Sequence, residues 1–237
     1  MKATSEIFFD GPDVAKDISK KYGHRGELLK IFANNKGKVV DKWHHYIPIY
    51  ERYFGPYRKK PLRFLEIGVF KGGSLEMWRK YFGPDATIFG IDIDPACAAF
   101  NGSAGQVRIG SQDDAAFLAD VVAEMGGVDI VLDDGSHMMA HVRASLKALF
   151  PMVADNGLYM IEDLHTAYWR RYGGGMGRGR NFFGDVLSIV HDMHHWYREL
   201  DEVPNSIGST VSGVHIHDSI VVLEKGPVYP PVRSQIG

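Results

Sequence analysis

From residue 62 onward the sequence alternates short apolar runs with amphipathic segments, and this alternation limits the possible folds more than any other feature. Strand-like runs occupy residues 63–69, 87–93, 106–109, 128–132 and 157–161. Segments with helical spacing of apolar residues, 74–81, 114–125 and 137–150, lie between most of them, and the 96–101 connection is long enough only for a brief helix. Strands that alternate with helices form parallel sheets. The sequence therefore predicts a doubly wound α/β sheet with five parallel strands.

The last third of the chain adds a helix and a hairpin. Residues 181–200 carry apolar side chains at three- and four-residue spacings, which is typical of a helix. Residues 211–215 and 220–224 flank His217-Asp218-Ser219 and predict two antiparallel strands, which brings the sheet to seven.

Residues 1–60 lack the alternation and carry an aromatic and histidine-rich run, Lys42-Trp43-His44-His45-Tyr46. We expect a mostly helical N-terminal extension that packs on the domain of residues 61–237. Aromatic side chains suit such packing because each buries a large area. Alternatively, His44, His45 and Tyr46 form part of a substrate wall, and both interpretations stay open.

Composition excludes several classes of protein. The 237 residues are 45% hydrophobic and 24% charged, as in soluble globular proteins, and a formal net charge of -2 gives no electrostatic argument for nucleic acid or an anionic membrane. The sequence contains no apolar run of membrane-spanning length, and its first residues lack the pattern of a signal peptide. One cysteine, Cys97, excludes an internal disulfide and a zinc–cysteine cluster. We expect a cytoplasmic protein.

Residues suited to a nucleoside follow the first three strands. The first strand runs into Glu66-Ile-Gly68-Val-Phe70-Lys-Gly72-Gly73-Ser74, a glycine-rich turn that lets a ligand approach the backbone. Its spacing is not the G-x-G-x-x-G of a nicotinamide fold. The second strand ends at Asp92, where an acid can accept hydrogen bonds from both ribose hydroxyls. Together with Ser111-Gln112-Asp113 after the third strand, these residues predict a nucleoside site.

Paired acids follow the fourth and fifth strands, Asp133-Asp134 and Glu162-Asp163. The carboxyl ends of neighbouring parallel strands meet at one edge of the sheet, and no lysine or arginine lies close to these acids in sequence. Carboxylates that converge without such a partner suggest a hard divalent cation, Mg²⁺ or Mn²⁺. Helix capping or exposure to solvent would explain one pair of acids, but two pairs on adjacent strand ends favour the metal.

These motifs resemble those of the class I S-adenosylmethionine-dependent methyltransferases over roughly residues 62–225, and the predicted strand order is that family's sheet. The resemblance implies that Gly68 and Ser74 lie against the methionine part of the cofactor and that Asp92 holds the ribose. It also implies that Ser111 and Gln112 border the adenine. The full predicted cofactor set is Glu66, Gly68, Phe70, Ser74, Asp92, Ser111, Gln112, Asp113 and Asp134.

Within that family, the metal-dependent enzymes of the catechol O-methyltransferase type place one acid after strand four and a pair after strand five. That spacing matches Asp134, Glu162 and Asp163 as metal ligands. The catechol enzymes carry a lysine base three residues beyond the first ligand, where this sequence has His137. The Asp134-Gly-Ser-His137 segment is instead similar to the macrolide sugar O-methyltransferases of the mycinamicin type and to the cephalosporin-hydroxylase-like family. The resemblance implies that His137 is the catalytic base.

The expected activity is therefore Mg²⁺-dependent methyl transfer from S-adenosylmethionine to a hydroxyl of a vicinal diol, on a sugar of a natural product or glycan. Two alternatives stay open: a catechol-type phenol O-methyltransferase, and a non-catalytic S-adenosylmethionine-binding subunit. The macrolide enzymes carry a large additional N-terminal domain that we do not expect in this protein, and this leaves other sugar or glycan acceptors open. We also expect a homo-oligomer.

A glycine- and arginine-rich loop, residues 169–180, follows the fifth strand directly. Its glycine content and position predict a lid over the acceptor, and a solvated flexible loop is the alternative. Arg170, Arg171, Arg178 and Arg180 are suited to a phosphate or carboxylate on the acceptor. The predicted acceptor contacts are His165, Tyr168, Trp169 and Arg170.

Overall fold

The computed structural model describes residues 8–177, 181–199, 204 and 207–237. Its sheet has seven strands in the order β3-β2-β1-β4-β5-β7-β6. The parallel strands are β1 (Leu62–Ile67), β2 (Ala86–Asp92), β3 (Gln106–Ile109), β4 (Val128–Asp133) and β5 (Val153–Ile161). The antiparallel hairpin comprises β6 (Val211–His217) and β7 (Ile220–Lys225), with β7 pairing to β5. The predicted fold class is confirmed.

Seven α-helices surround the sheet in the described residues. The N-terminal extension forms α1 (Val14–Tyr22), α2 (Glu27–Ala33) and α3 (Tyr46–Phe54). The crossovers and the segment before the hairpin form α4 (Gly73–Phe82), α5 (Ala115–Met125), α6 (Met139–Leu149) and α7 (Phe182–Met193). The expected brief helix is a 3₁₀ turn over Pro95–Phe100. None of these helices has the length and apolarity needed to cross a bilayer.

Successive residues of each strand feed two separate cores. Phe64 of β1 packs with the helices of the N-terminal extension and with Trp78 of α4, whereas its neighbour Leu65 packs with α5 and α6. This alternation follows from the pleat of a strand, which points successive side chains to opposite faces. The N-terminal extension therefore covers one face of the sheet together with α4, and its side chains belong to the core of that face.

Strand register brings the functional loops together. Ile67 at the end of β1 lies opposite Asp133 of β4, and Asp133 lies opposite Ile161 of β5. The residues that follow these three positions therefore emerge side by side at one edge of the sheet. They are Gly68, Asp134 and Glu162.

The predicted boundaries of three elements are wrong. The helix predicted from residue 137 begins at Met139, because His137 has the left-handed φ of 56° and cannot start a right-handed helix. The helix predicted over 181–200 ends at Met193, where the ring of His194 hydrogen-bonds the Val190 carbonyl and the chain tightens into a 3₁₀ turn. Residue 200 itself lies outside the described residues. The strand predicted from residue 157 begins earlier, at Val153, and contains a register shift.

Candidate active site

A cavity of about 1160 Å³ opens at the carboxyl ends of the parallel strands. This is the edge at which doubly wound sheets bind ligands. Its walls come from the loops after all five parallel strands and from residues of the N-terminal extension, among them residues 40–46. The predicted site residues that line it are Gly68, Phe70, Asp92, Ser111, Gln112, Asp134, His137, Glu162, Asp163, His165 and Trp169.

Gly68 lets the ends of β1 and β4 come close together. Its φ is +97°, and a Cβ added there would lie 2.1 Å from the backbone oxygen of Asp134. The Asp134 N–H donates to the Ile67 carbonyl at 3.0 Å, so the two loops are joined through the backbone. A larger residue at position 68 would separate the glycine turn from the acid that follows β4.

The Asp92 carboxylate holds the same turn from the side of β2. One of its oxygens accepts hydrogen bonds from the N–H groups of Val69 (2.9 Å) and Phe70 (3.0 Å), and the other accepts from Asp94 N–H (2.9 Å). Burial alone would raise the pKa of Asp92, but these three N–H donors outweigh it and lower that pKa. Asp92 is therefore an ionised carboxylate that faces the cavity and shapes the turn beside it.

Glu66 and Ser74, both predicted cofactor residues, lie beneath the turn and bond each other. The Ser74 hydroxyl donates to Glu66 Oε2 at 2.7 Å, and Trp78 Nε1 donates to the other oxygen at 2.9 Å. Burial raises the pKa of Glu66 to about 7, although Lys42 and these donors oppose the shift. Neither Glu66 nor Ser74 is among the described residues that line the cavity.

Asp133, the first acid of its pair, is structural. It is 1% exposed and accepts hydrogen bonds from the Ser145 hydroxyl, from Tyr159 Oη at 3.0 Å and from Gln112 Nε2 at 3.2 Å. Gln112 Oε1 in turn accepts from the Ser136 N–H at 2.7 Å. This network fixes the loop that carries Asp134 and His137. The predicted Asp113 lies further out, bonded by the Ser111 hydroxyl and 3.7 Å from His141 Nε2.

Three side chains on the loops that follow β4 and β5 lie close together. Asp134, His137 and Asp163 each offer a ligand atom, and these atoms lie within 4.8 Å of one another. His137 Nε2 is 3.5 Å from Asp163 Oδ2 and 3.9 Å from Asp134 Oδ1. His137 and Asp163 both adopt left-handed φ values, 56° and 53°. Non-glycine residues pay for that conformation, and such strain clusters at functional sites.

Glu162 faces the N-terminal extension instead of this group. Lys42 Nζ donates to Glu162 Oε2 at 3.0 Å and also to Asp134 Oδ2, and the Tyr50 hydroxyl donates to Glu162 Oε1. The Tyr46 hydroxyl donates to Asp163 Oδ1 at 2.7 Å. The N-terminal extension therefore contributes a hydrogen-bond donor to each of the three predicted metal ligands.

Lys42 is a partner that the sequence interpretation missed. It lies 92 positions before Asp134, so no local pattern could link it to the acids. Burial opposes the charge of Lys42, but neighbouring carboxylates, with Asp134 the strongest, raise its pKa above the usual range. Burial and the Asp134 charge together raise the pKa of Glu162.

One wall of the cavity is aromatic. The His165 ring lies 5.7 Å from that of Trp43 and 4.9 Å from that of Trp169, in edge-to-face geometry. Its Nδ1 shares a hydrogen bond of 2.7 Å with the Ser219 hydroxyl, and burial lowers the pKa of its imidazole. The guanidinium of Arg171 covers the rings of Trp169 and Tyr172 at 4.8 and 5.1 Å.

Two of the four predicted acceptor residues lie elsewhere. Tyr168 is half exposed and packs on Phe183 of α7, with ring centroids 5.9 Å apart. Neither Tyr168 nor Arg170 is among the described cavity-lining residues. Arg178 and Arg180 lie outside the described residues, so the proposed lid is described only up to residue 177.

The histidine run of the N-terminal extension both packs and lines the cavity. His44 Nδ1 bonds Asp17 Oδ2 at 2.8 Å, and His45 Nε2 donates to the Asp218 carbonyl at 3.2 Å. Both histidines and Tyr46 border the cavity. The two interpretations of this run are therefore compatible.

The donor set is of the kind that a hard divalent cation prefers. Asp134 and Asp163 each offer a carboxylate oxygen, these oxygens lie within 4.8 Å of each other, and both residues line the cavity. Glu162 is linked to Asp134 by Lys42, which donates a hydrogen bond to both acids. Both oxygens of Glu162 already accept hydrogen bonds. The structure thus brings Asp134 and Asp163 together directly and Glu162 through a shared lysine.

Comparison with known proteins agrees with this geometry. Residues 65–164 match the family model described as a methyltransferase domain. The chain is 38% identical over 213 residues to the 8-demethyl-8-(2-methoxy-alpha-L-rhamnosyl)-tetracenomycin-C 3'-O-methyltransferase of Streptomyces olivaceus, covering 85% of this chain and 54% of the relative. It is 38% identical over 201 residues to the mycinamicin VI 2''-O-methyltransferase of Micromonospora griseorubida, covering 77% and 48%.

A solved methyltransferase structure is also similar to this chain. The MycE methyltransferase from the mycinamycin biosynthetic pathway, in complex with Mg, SAH and mycinamycin VI, aligns with a TM-score of 0.73 and 34% identity. The alignment covers 92% of this chain and 54% of that chain. This chain spans about half the length of the curated relatives it matches.

Proposed function

We propose that this chain, whose residues 65–164 match a methyltransferase domain, belongs to the class I methyltransferases and transfers a methyl group from S-adenosylmethionine to a sugar hydroxyl in a Mg²⁺-dependent reaction. The observation that carries the proposal is the convergence of Asp134, Asp163 and His137 beside the glycine turn of β1. Two acids and a histidine at that edge combine a cation site with a proton acceptor. Sugar O-methyltransferases and the Mg and SAH complex of MycE support this assignment.

The cofactor would lie against the turn that Gly68 and Asp92 shape. Gly68, Phe70, Asp92, Ser111 and Gln112 line this end of the cavity, and S-adenosylmethionine supplies the methyl group from its sulfonium. Asp92 presents an ionised carboxylate at the end of β2, where a ribose is held in such folds. The reacting end of the cofactor would then point toward the loop that carries Asp134.

Asp134 and Asp163 are the metal ligands that the geometry favours, and Glu162 is the proposed third. When bound, a divalent cation makes a coordinated hydroxyl more acidic. The exposed edges of Asp134 and Asp163 leave room for two neighbouring hydroxyls of a diol. A vicinal diol is therefore the acceptor that we propose.

His137 is the proposed general base. Its Nε2 faces the two aspartates, and its backbone carbonyl accepts a hydrogen bond from the Thr166 hydroxyl at 3.4 Å. As the acceptor oxygen forms its bond to the methyl carbon and the carbon–sulfur bond breaks, His137 takes the hydroxyl proton at Nε2. The Thr166 hydrogen bond to this loop supports the proposal, because it fixes the backbone that carries the ring.

The aromatic wall suits a sugar. Trp43, His165 and Trp169 present ring edges and faces to the cavity, and such apolar surfaces with a few polar groups are typical of ligand sites. We propose a sugar of a natural product or glycan as the acceptor. We also propose that the protein is a homo-oligomer. Light scattering during size-exclusion chromatography tests the oligomeric state.

The test is release of S-adenosylhomocysteine, measured with Mg²⁺ and with a chelator over matched acceptors. A rhamnoside with free neighbouring hydroxyls should be methylated only with Mg²⁺. Its fully methylated counterpart, and a rhamnoside lacking one hydroxyl of the pair, should give little turnover. Turnover with catechol but with no sugar would support a phenol methyltransferase. Tight cofactor binding without turnover on any diol would support a binding subunit.

A further inference from the structure

A buried ammonium from outside the sheet domain joins two of the acids. Lys42 lies between α2 and α3, and its side chain is 3% exposed. Its Nζ donates to Asp134 Oδ2 and to Glu162 Oε2, the latter at 3.0 Å. Taking a lysine out of water costs several kcal/mol unless its charge is compensated. These two carboxylates provide that compensation, and the lysine compensates them in turn.

The contacts divide the carboxylate oxygens into two sets. The inner oxygens, Asp134 Oδ2 and Glu162 Oε2, face Lys42. The outer oxygens, Asp134 Oδ1 and Asp163 Oδ2, face His137 at 3.9 and 3.5 Å. Asp134 and Asp163 are thus each held on one side by a donor from the N-terminal extension, since Tyr46 bonds the remaining oxygen of Asp163, whereas Glu162 is held on both sides by Lys42 and Tyr50. The orientation of the outer oxygens follows from how the inner ones are held.

Lys42 also has contacts besides those with the acids. Its ammonium lies 5.7 Å from the centre of the Tyr50 ring, a cation–π contact, and Tyr50 is fully buried. Val40 and Trp43 on either side of it pack on the hydrophobic core. The outer group converges while Lys42 is in place. These facts argue against a lysine that merely stands in for the metal and leaves when the metal arrives.

We propose that Lys42 is a positioning residue of the transfer site, which ties Asp134 to Glu162 through their inner oxygens and so aims the outer oxygen of Asp134, Oδ1, at a divalent cation. The proposal rests on the metal-dependent function proposed above. Without the ammonium, the two carboxylates lose their shared donor and repel each other. Partners that orient metal ligands in this way typically account for 10–100-fold in metal affinity.

The test compares Mn²⁺ binding to four full-length proteins by calorimetry: the natural chain, Lys42→Met, Lys42→Arg and the control Lys38→Met. Methionine keeps the length of the side chain and removes its charge. Lys38 belongs to the same segment but is 44% exposed and pairs with Glu76, away from the acids. We expect Lys42→Met to weaken Mn²⁺ binding by about 10–100-fold. Lys42→Arg should recover part of that loss, and Lys38→Met should bind as the natural chain does.

Thermal melting in chelator establishes first that each variant is folded. If Lys42→Met does not fold, Lys42→Gln, which keeps a donor without a charge, takes its place with the same expectation. Unchanged Mn²⁺ affinity in a folded Lys42→Met protein would reduce Lys42 to a packing residue and overturn the proposal. Tighter binding would overturn it too, since the lysine would then compete with the metal. If the natural chain itself binds no Mn²⁺, the proposed metal-dependent function fails instead.

Discussion

His137 holds a left-handed backbone conformation beside two aspartates, and this is a costly place for a histidine that serves only packing. Asparagine tolerates that conformation better than most residues, so Asn is available as a substitute that keeps the backbone and removes the imidazole. The position therefore allows the role of the side chain to be separated from the strain of the loop.

His137→Asn should leave Mn²⁺ and S-adenosylmethionine affinity nearly unchanged if the imidazole is a base and not a ligand. Turnover should fall on the order of a hundredfold or more, the range for losing a positioned base. Free imidazole added to the assay should restore part of it. A large loss of Mn²⁺ affinity would make His137 a metal ligand, and full turnover would end the base assignment.

Glu66 gives a prediction for the pH dependence of stability. Its pKa is raised from 4.5 to about 7 in the folded chain, so folding favours the protonated acid. Its contribution to the free energy of unfolding is present below pH 4.5 and is lost as the pH rises through 7. Glu66→Gln cannot ionise and should not show this loss.

Denaturant unfolding in chelator at pH 5 and pH 8 measures the effect. Between these values the natural chain should lose stability relative to Glu66→Gln by up to about 3 kcal/mol. A difference between the two proteins that stays constant with pH would show that Glu66 is ionised throughout this range.

At the scale of single residues, the contact between Lys42 and the acids could not be predicted from the sequence. The paired acids and the glycine turn are local patterns, and their meeting follows from the general geometry of parallel sheets. The pairing of Lys42 with Asp134 depends on how the N-terminal extension folds over the edge of that sheet. A lone lysine in an aromatic run carries no signal of a partner 92 positions away.

At the scale of elements, the turn between β1 and α4 depends on an acid from β2. Asp92→Ala would leave the N–H groups of Val69 and Phe70 without their acceptor, in addition to removing the proposed ribose partner. S-adenosylmethionine affinity should fall at least about tenfold, since two hydrogen bonds to a charged acceptor are lost. Calorimetry with the cofactor measures this.

Asp94→Ala is the matched control, because Asp94 lines the same cavity two positions further on, but its carboxylate caps the following 3₁₀ turn at Ala96 and does not bond the turn of Val69 and Phe70. It should bind the cofactor nearly as the natural chain does. Equal losses in both variants would indicate a general effect of charge at this strand end. Unchanged affinity in Asp92→Ala would remove Asp92 from the site.

Elements with a strong apolar period were predicted well, and the exceptions have local causes. The parallel strands are apolar runs that end at a glycine or an acid, so their existence and their sequence along the chain could be predicted from the pattern, whereas their order within the sheet was implied by the family resemblance. The start of α6 was misplaced because residues 137 and 138 have good helical composition, and nothing in composition reveals a left-handed φ at His137. The end of α7 was misplaced because histidine rings cap its carbonyls, which apolar spacing does not show.

At the scale of the whole molecule, the N-terminal extension is part of the hydrophobic core on one face of the sheet. Tyr46, Ile47, Tyr50 and Phe54 of α3 are at most 1% exposed and pack in one cluster with Phe64 of β1. Removing the extension would expose that face of the sheet to water. The sequence pattern changes near residue 60, where we predicted a boundary. The segments on either side of it nevertheless pack in the same hydrophobic core.

We expect the full chain to unfold in one cooperative transition, and a chain lacking residues 1–60 to show none. Burial of several large aromatic side chains is lost in the shorter chain, and each contributes a few kcal/mol. Circular dichroism in the far and near ultraviolet during heating measures both proteins. A truncated chain that melts cooperatively within a few degrees of the full one would make residues 61–237 an independent domain.

The link from Lys42 to Glu162 spans 120 positions of the chain, and it has a consequence for biosynthesis. During translation Lys42 is synthesised well before β4 and β5. Its two hydrogen bonds to the carboxylates can therefore form only after most of the chain has been made. Contacts between such distant segments form late, after the loop-closure entropy has been overcome. Competence to bind a metal should thus be among the last properties that a newly made chain acquires, and a chain truncated before β5 would carry Lys42 and Asp134 without Glu162 and Asp163.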